Sequence, residues 1–91
     1  MIIKVQYNRD INCDEIFGVL ENTEIYDSKV IETIKLACDG KYEGYGSAKR
    51  EILYYLAGRM NLPVKTFVQA WYLDENEEWH EIFDFRKLWK Y

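Results

Sequence analysis

Hydrophobic and polar positions alternate over the first residues of the chain, as they do in a strand with one buried face. Ile3, Val5 and Tyr7 share one side of this alternation, and the other side consists of Ile2, Lys4 and Gln6. The period of two, together with the β-branched side chains, predicts a strand over residues 2–7. Because a lone strand leaves its backbone donors and acceptors unpaired, a partner strand is expected elsewhere in the chain.

After this strand the apolar residues recur every three to four positions, which predicts three helices. Asn12 is a candidate cap for a short first helix that buries Ile16, Phe17 and Leu20. Gly18 lies inside this segment and weakens the helical pattern, because glycine is a poor helix former.

The second and third predicted helices have clearer boundaries. Asp27 or Ser28 caps the second helix, and Gly40 occupies the place of a left-handed stop residue. Ser47 caps the third helix, whose apolar face consists of Ile52, Leu53, Leu56, Ala57 and Met60. We expect these two helices to cover one face of a sheet.

The segment after Pro63 fits two structures. As a helix, it begins at Pro63 and carries an apolar stripe made of Val64, Phe67, Val68 and Trp71. As a strand, it alternates as far as Tyr72 and is followed by the polar turn 74–77 and by a second alternating run over 79–85. The strand interpretation predicts a hairpin in which Glu75 and Asn76 form the tip and Tyr72 faces Trp79.

The helical interpretation resembles a helix-turn-helix DNA-binding motif over residues 56–71. Ala57 is small enough for two helices to cross, and Asn61 tolerates a left-handed turn. Buried apolar residues on either side of that turn would be Leu56, Met60, Leu62 and Phe67. The resemblance implies that Lys65 and Thr66 begin a recognition helix that faces DNA.

Local charge agrees with this alternative, because residues 47–71 are basic within an acidic protein. The candidate nucleic-acid-binding residues are Lys49, Arg50, Arg59, Lys65 and Thr66. Against it, no arginine is present in the recognition segment to read guanine. A run of six acidic residues without a lysine or arginine comes directly afterwards, consisting of Asp74, Glu75, Glu77, Glu78, Glu81 and Asp84. Such a run repels phosphate.

Composition favours a binding protein. The 91 residues suffice for one domain, carry a formal net charge of −4 and include three Trp, eight Tyr and four Phe. A domain of this size cannot bury so many rings fully, and exposed Tyr and Trp supply contact area at low entropic cost. The two cysteines, the absence of a signal sequence and the lack of a long apolar run predict a reduced, cytoplasmic protein without a membrane segment.

The sequence offers little for catalysis or for a metal. His80 is the single histidine and has no sequence-adjacent partner for a nucleophilic triad. No pair of Cys or His residues has the spacing of zinc ligands, so that we expect no metal, no cofactor and no enzymatic activity.

Together these patterns predict a single α+β domain over residues 1–91. It has an N-terminal strand, three helices and a C-terminal hairpin that completes a three-stranded, mainly antiparallel sheet; a mostly helical winged or helix-turn-helix domain is the alternative.

The predicted function is non-catalytic binding to another protein with a basic surface, with a helix-turn-helix DNA-binding regulator as the alternative. The expected contact residues are Trp71, Tyr72, Asp74, Glu75, Glu77, Glu78 and Trp79. Small size, negative charge and exposed rings also suit phage or mobile-element inhibitors such as anti-CRISPR proteins.

Overall fold

A computed structural model of the chain describes residues 1–8, 18–38 and 45–84, with backbone only for residues 45–47. Within these ranges the helices and strands, in chain order, are β1 (Ile2–Tyr7), β2 (Val19–Glu24), α1 (Ser28–Cys38), α2 (Tyr45–Met60), β3 (Phe67–Leu73) and β4 (Trp79–Asp84). A single 3-10 turn, Val64–Thr66, leads into β3.

The four strands form one antiparallel sheet in the order β2-β1-β3-β4. Ile3 and Val5 of β1 are fully buried and lie opposite Tyr72 and Ala70 of β3. They share one hydrophobic core with residues of both helices, namely Ile34, Ala37, Ala48, Ile52, Leu53, Leu56 and Ala57. The helices therefore cover one face of the sheet, as the amphipathic patterns predict.

The α+β class agrees with the sequence prediction, but the predicted elements do not. The described residues form four strands and two helices, so the prediction of three strands and three helices is wrong. Leu20, assigned to the apolar stripe of the first helix, lies in β2 and is 61% exposed. The rest of that predicted helix, with Asn12, Ile16 and Phe17, lies outside the described residues.

The start of α1 confirms the predicted cap. The Oδ1 atom of Asp27 accepts hydrogen bonds from the backbone N–H groups of Lys29 at 3.0 Å and Val30 at 3.4 Å. These donors have no acceptor within the first turn of the helix, and the carboxylate satisfies them.

The end of α2 shows why the helix-turn-helix interpretation is wrong. Asn61 has a φ of +55°, and the N–H of Leu62 donates to the carbonyl of Ala57 at 3.0 Å. This arrangement closes the end of a helix. After the short 3-10 turn the N–H of Asn8 donates to the carbonyl of Thr66 at 2.8 Å, and β3 then pairs with β1. The left-handed residue therefore ends α2, and the chain enters a strand instead of a recognition helix.

The hairpin of β3 and β4 is present but has a different register from the predicted one. Tyr72 lies opposite His80, and Leu73 lies opposite Trp79. Because Leu73 pairs with Trp79, residues 74–78 lie between the two strands, and the loop is longer than the expected two-residue tip. The positive φ of 62° in this loop falls on Glu77. A shift in register next to Ala70 lets both Ile82 and Phe83 be buried in β4.

In the described part of the chain, no helix combines the length and the apolar character required to cross a bilayer.

Candidate functional site

The turn between β3 and β4 presents four carboxylates on a defined backbone. We call residues Asp74, Glu75, Glu77 and Glu78 the acidic tip. The N–H of Asp74 donates to the carbonyl of Glu78 at 2.9 Å, and the Oδ1 atom of Asp74 accepts from the N–H groups of Asn76 at 2.8 Å and Glu78 at 2.9 Å. The side chains of Glu75, Glu77 and Glu78 are exposed. The backbone of the tip is therefore held by Asp74, while the other three carboxylates face solvent.

His80 fixes the other oxygen of Asp74. Its Nε2 atom lies 2.6 Å from Asp74 Oδ2, and its ring stacks on Tyr72 with centroids 4.9 Å apart and planes 19° apart. The hydrogen bond with His80, together with the weaker effect of that from the N–H of Glu78, holds the pKa of the Asp74 carboxyl below its usual range. Asp74 and His80 thus form a hydrogen-bonded pair that links the two ends of the hairpin loop.

Within the described part of the chain, one group of side chains could in principle hold a metal ion, and it lies in this turn. Single ligand atoms of Asp74, Glu78 and His80 lie within 4.8 Å of one another. The contact of 2.6 Å between Asp74 and His80 is shorter than the ~3.3 Å that separates two ligands of a tetrahedral zinc ion. The present geometry is therefore that of a hydrogen-bonded pair, and the two side chains would have to separate to share a cation.

Beside the tip, two tryptophans and a lysine meet on the sheet face opposite the helices. We call Lys4, Trp71 and Trp79 the tryptophan face. The Nζ atom of Lys4 lies 4.7 Å from the ring centroid of Trp71 and 4.4 Å from that of Trp79. Alternation along β1 and β3 places these residues there, because their neighbours Val5 and Ala70 point into the core. Trp79 remains 39% exposed and directly follows the last residue of the acidic tip.

Polar and apolar residues extend the sheet face around this group. Leu20 in β2 lies opposite Gln6 and is exposed, whereas Gln6 and Gln69 are each only 9% exposed. Ile2, at the start of β1, is 38% exposed. Ile2 therefore adds exposed apolar surface at the end of the face near the acidic tip, whereas Leu20 lies at the opposite end.

An open cleft of about 470 Å³ lies on the other side of the hairpin, at the base of the acidic tip. Its walls are formed by residues 72–76 of the hairpin, by Ile31 and Lys35 of α1, and by Met1. Lys35 thus places a cation across the cleft from Asp74 and Glu75.

The structure brings together most of the residues predicted to contact a partner. Trp71, Trp79 and the acidic tip lie on one hairpin and share its end. Tyr72 differs, because it is 7% exposed, points toward the helices and supports His80. Its contribution is to the packing beneath the site.

The residues of the nucleic-acid alternative do not form one surface of the kind that the motif requires. Arg59 donates from Nε to Thr23 Oγ1 at 3.1 Å and from its terminal nitrogen to the carbonyl of Glu24, which ties α2 to β2. Thr66 is buried and donates its hydroxyl to the carbonyl of Pro63 at 2.7 Å. The other three residues, Lys49, Arg50 and Lys65, lie on α2 and on the 3-10 turn rather than on a recognition helix.

Lys4 is the member of the site that sequence reasoning missed. Its position on the polar side of the first alternating segment could be recognised from the sequence. The contact with both tryptophans depends on the pairing of β1 with β3 and of β3 with β4, which no local pattern specifies.

The chain matches no known family model, no characterised protein and no solved structure.

Proposed function

We propose that this protein is a small, non-catalytic protein-binding module that docks the acidic tip and the tryptophan face on a basic surface of another protein. The observation that carries the proposal is the position of Trp79, which is 39% exposed and directly follows a turn with three exposed carboxylates. Aromatic anchors supply most of the buried contact in protein interfaces, and complementary charge sets orientation and speeds association.

The charge of the hairpin supports a basic partner. No lysine or arginine occurs between residues 66 and 84 of the sequence, whereas this stretch contains six carboxylates. A surface that binds nucleic acid has the complementary charge, because it neutralises phosphates. A nucleic-acid-binding protein is therefore the class of partner that we propose. An inhibitor encoded by a phage or another mobile element, comparable to anti-CRISPR proteins, is the biological role that this size and charge suit.

Capture from a lysate of the native host with matched charge-reversal variants tests the proposal. One double variant, Glu75→Lys with Glu78→Lys, reverses the charge of the acidic tip. The control, Glu32→Lys with Glu51→Lys, makes the same change at exposed positions of α1 and α2. Wild type and control should retain a common partner that is released by salt and by heparin, and the tip variant should lose it.

The recovered partner is then purified and its affinity measured by titration calorimetry. We expect the tip variant to bind about tenfold more weakly than the control, which corresponds to a combined contribution of about 1.4 kcal/mol from the two reversed interface charges. Equal affinity of the two variants, or recovery of no partner by the wild-type protein at low salt, would contradict the proposal.

A further inference from the structure

Lys4 already places a cation against the tryptophan face. Its ammonium group lies over both indole rings, at 4.7 Å from the Trp71 centroid and 4.4 Å from the Trp79 centroid. The negative face of an aromatic ring attracts a cation at such distances, and tryptophan does so most strongly. The two rings are therefore arranged so that one positively charged group contacts both.

We propose that this position receives an arginine side chain from the basic partner and that Lys4 occupies it until the partner binds. The inference rests on the proposed function, whose partner it describes in more detail. Lys4 then acts as an internal competitor, and its displacement is part of the binding step.

The chemistry of the two cations favours this exchange. A guanidinium group is planar and weakly hydrated, so it stacks on an indole ring at a lower desolvation cost than an ammonium group. Lys4 has a flexible stem, and its strongly hydrated ammonium group regains water when it leaves the rings. The free energy that Lys4 loses on leaving the rings is therefore smaller than the free energy that the arginine gains by stacking on them.

The neighbouring charge also favours arginine. Trp79 follows Glu78 directly, and Leu73, opposite Trp79 in the sheet, adjoins Asp74. An arginine on the rings consequently lies next to the acidic tip, where further basic residues of the same partner segment find Glu75, Glu77 and Glu78. This complementarity selects a segment with several positive charges over a single isolated cation.

The test measures the affinity of a hexa-arginine peptide at low salt for five forms of the full chain: wild type, Lys4→Met, Lys29→Met, Trp79→Leu and the acidic-tip double variant. The indole N–H resonances of Trp71 and Trp79 report binding in an NMR titration. Lys4→Met removes the internal cation and keeps an apolar stem of similar length. Lys29→Met is the matched control, because it removes the same charge from an exposed position on α1.

We expect Lys4→Met to bind the peptide about two- to fivefold more tightly than Lys29→Met, which corresponds to one cation–π contact no longer contested. Trp79→Leu, the fourth form, should bind more weakly than wild type. Equal affinity of the two methionine variants, or no shift of either indole resonance, would overturn the inference. If Lys4→Met does not fold, as judged by circular dichroism, Lys4→Gln serves in the same comparison.

The tip variant separates this inference from the proposed function. If Glu75→Lys with Glu78→Lys abolishes peptide binding while Lys4→Met has no effect, the arginine position is wrong and the acidic docking surface stands. If Lys4→Met increases affinity while the tip variant binds normally, the arginine position stands and docking through the acidic tip is wrong.

Discussion

Gly18 shows how one residue determines the entry to a strand. It has a φ of +51°, and a Cβ atom at this position would lie 2.5 Å from the backbone oxygen of Tyr7. A side chain there meets both an unfavourable backbone conformation and a backbone atom that cannot move without disturbing β1. The glycine that weakens the helical pattern in the sequence is therefore required for the start of β2.

Replacing Gly18 with alanine should lower the free energy of unfolding by about 2–4 kcal/mol. Gly58→Ala is the control, because a Cβ atom at this helical position meets nothing within 4 Å. The control should raise stability by up to about 1 kcal/mol, since alanine favours a helix more than glycine does. Urea denaturation measures both values, and a similar loss in the two variants would argue against the geometry at Gly18.

The Asp74–His80 pair predicts a dependence of stability on pH. Because the pKa of Asp74 is lowered in the folded protein by the hydrogen bond with His80, the ionised carboxylate stabilises the fold. This contribution is complete above the pKa of the unfolded side chain, at about 4, and is lost as the pH falls through the lower folded-state pKa.

Wild type should therefore be more stable than Asp74→Asn at pH 7, and the difference should shrink as the pH is lowered to about 3. Urea denaturation at several pH values measures this difference. Glu75→Gln, in the same turn, provides the control, for which we expect a small difference throughout. A gap between wild type and Asp74→Asn that stays constant with pH would count against the role of this pair.

At the scale of elements, α2 is hydrogen-bonded to β2 by Arg59, a residue that only the alternative interpretation of the sequence assigns to nucleic-acid binding. Arg59 donates to Thr23 and to the carbonyl of Glu24, and both acceptors lie in the edge strand β2. Most side chains of this strand are exposed or half-buried. The hydrogen bonds of Arg59 thus add to the backbone pairing with β1 in holding the edge of the sheet.

Arg59→Met should lower the free energy of unfolding by about 1 kcal/mol, because two hydrogen bonds from a charged group are lost at an exposed site. It should also speed amide hydrogen exchange over residues 19–24. Arg50→Met, on the exposed side of the same helix, should change stability by less than about 0.5 kcal/mol. Unchanged exchange in β2 after the Arg59 substitution would contradict this structural role.

The helices and strands differ in how well the sequence pattern predicts them. β1, α1 and α2 carry apolar patterns that identify them, although α2 begins at Tyr45 and therefore includes Ser47, the predicted cap. β4 is expected on the strand interpretation, but the burial of both Ile82 and Phe83 breaks its predicted alternation. The residues of β2 alternate poorly, since an edge strand with largely exposed side chains has no buried face to mark it. β3 fits both a helix and a strand, and its pairing with β1 decides between them.

Asn61 shows that the conformation of one residue can be predicted while the structure that follows it cannot. The prediction that it takes a left-handed conformation is confirmed by its φ of +55°. The same conformation occurs in a helix-turn-helix and at the end of a helix before a strand. The sequence therefore predicts the conformation of Asn61 but not whether a helix or a strand comes after it.

On the scale of the whole molecule, the two faces of the sheet have different surroundings. One face packs against both helices, and the opposite face carries the tryptophan face next to the acidic tip. Trp71, Trp79 and the carboxylates can be picked out from the sequence as candidate contact residues because they are concentrated in one stretch of chain. Lys4 cannot, because it reaches them from a strand more than 60 residues away in sequence.

The most direct test of the central claim is an interface map of the protein bound to the partner recovered by capture. NMR chemical-shift changes of ¹⁵N-labelled protein locate the contact. We predict that the largest changes occur at the indole N–H groups of Trp71 and Trp79 and at the amides of residues 74–79. The largest changes on the exposed sides of α1 and α2, with residues 71–79 unaffected, would contradict the claim.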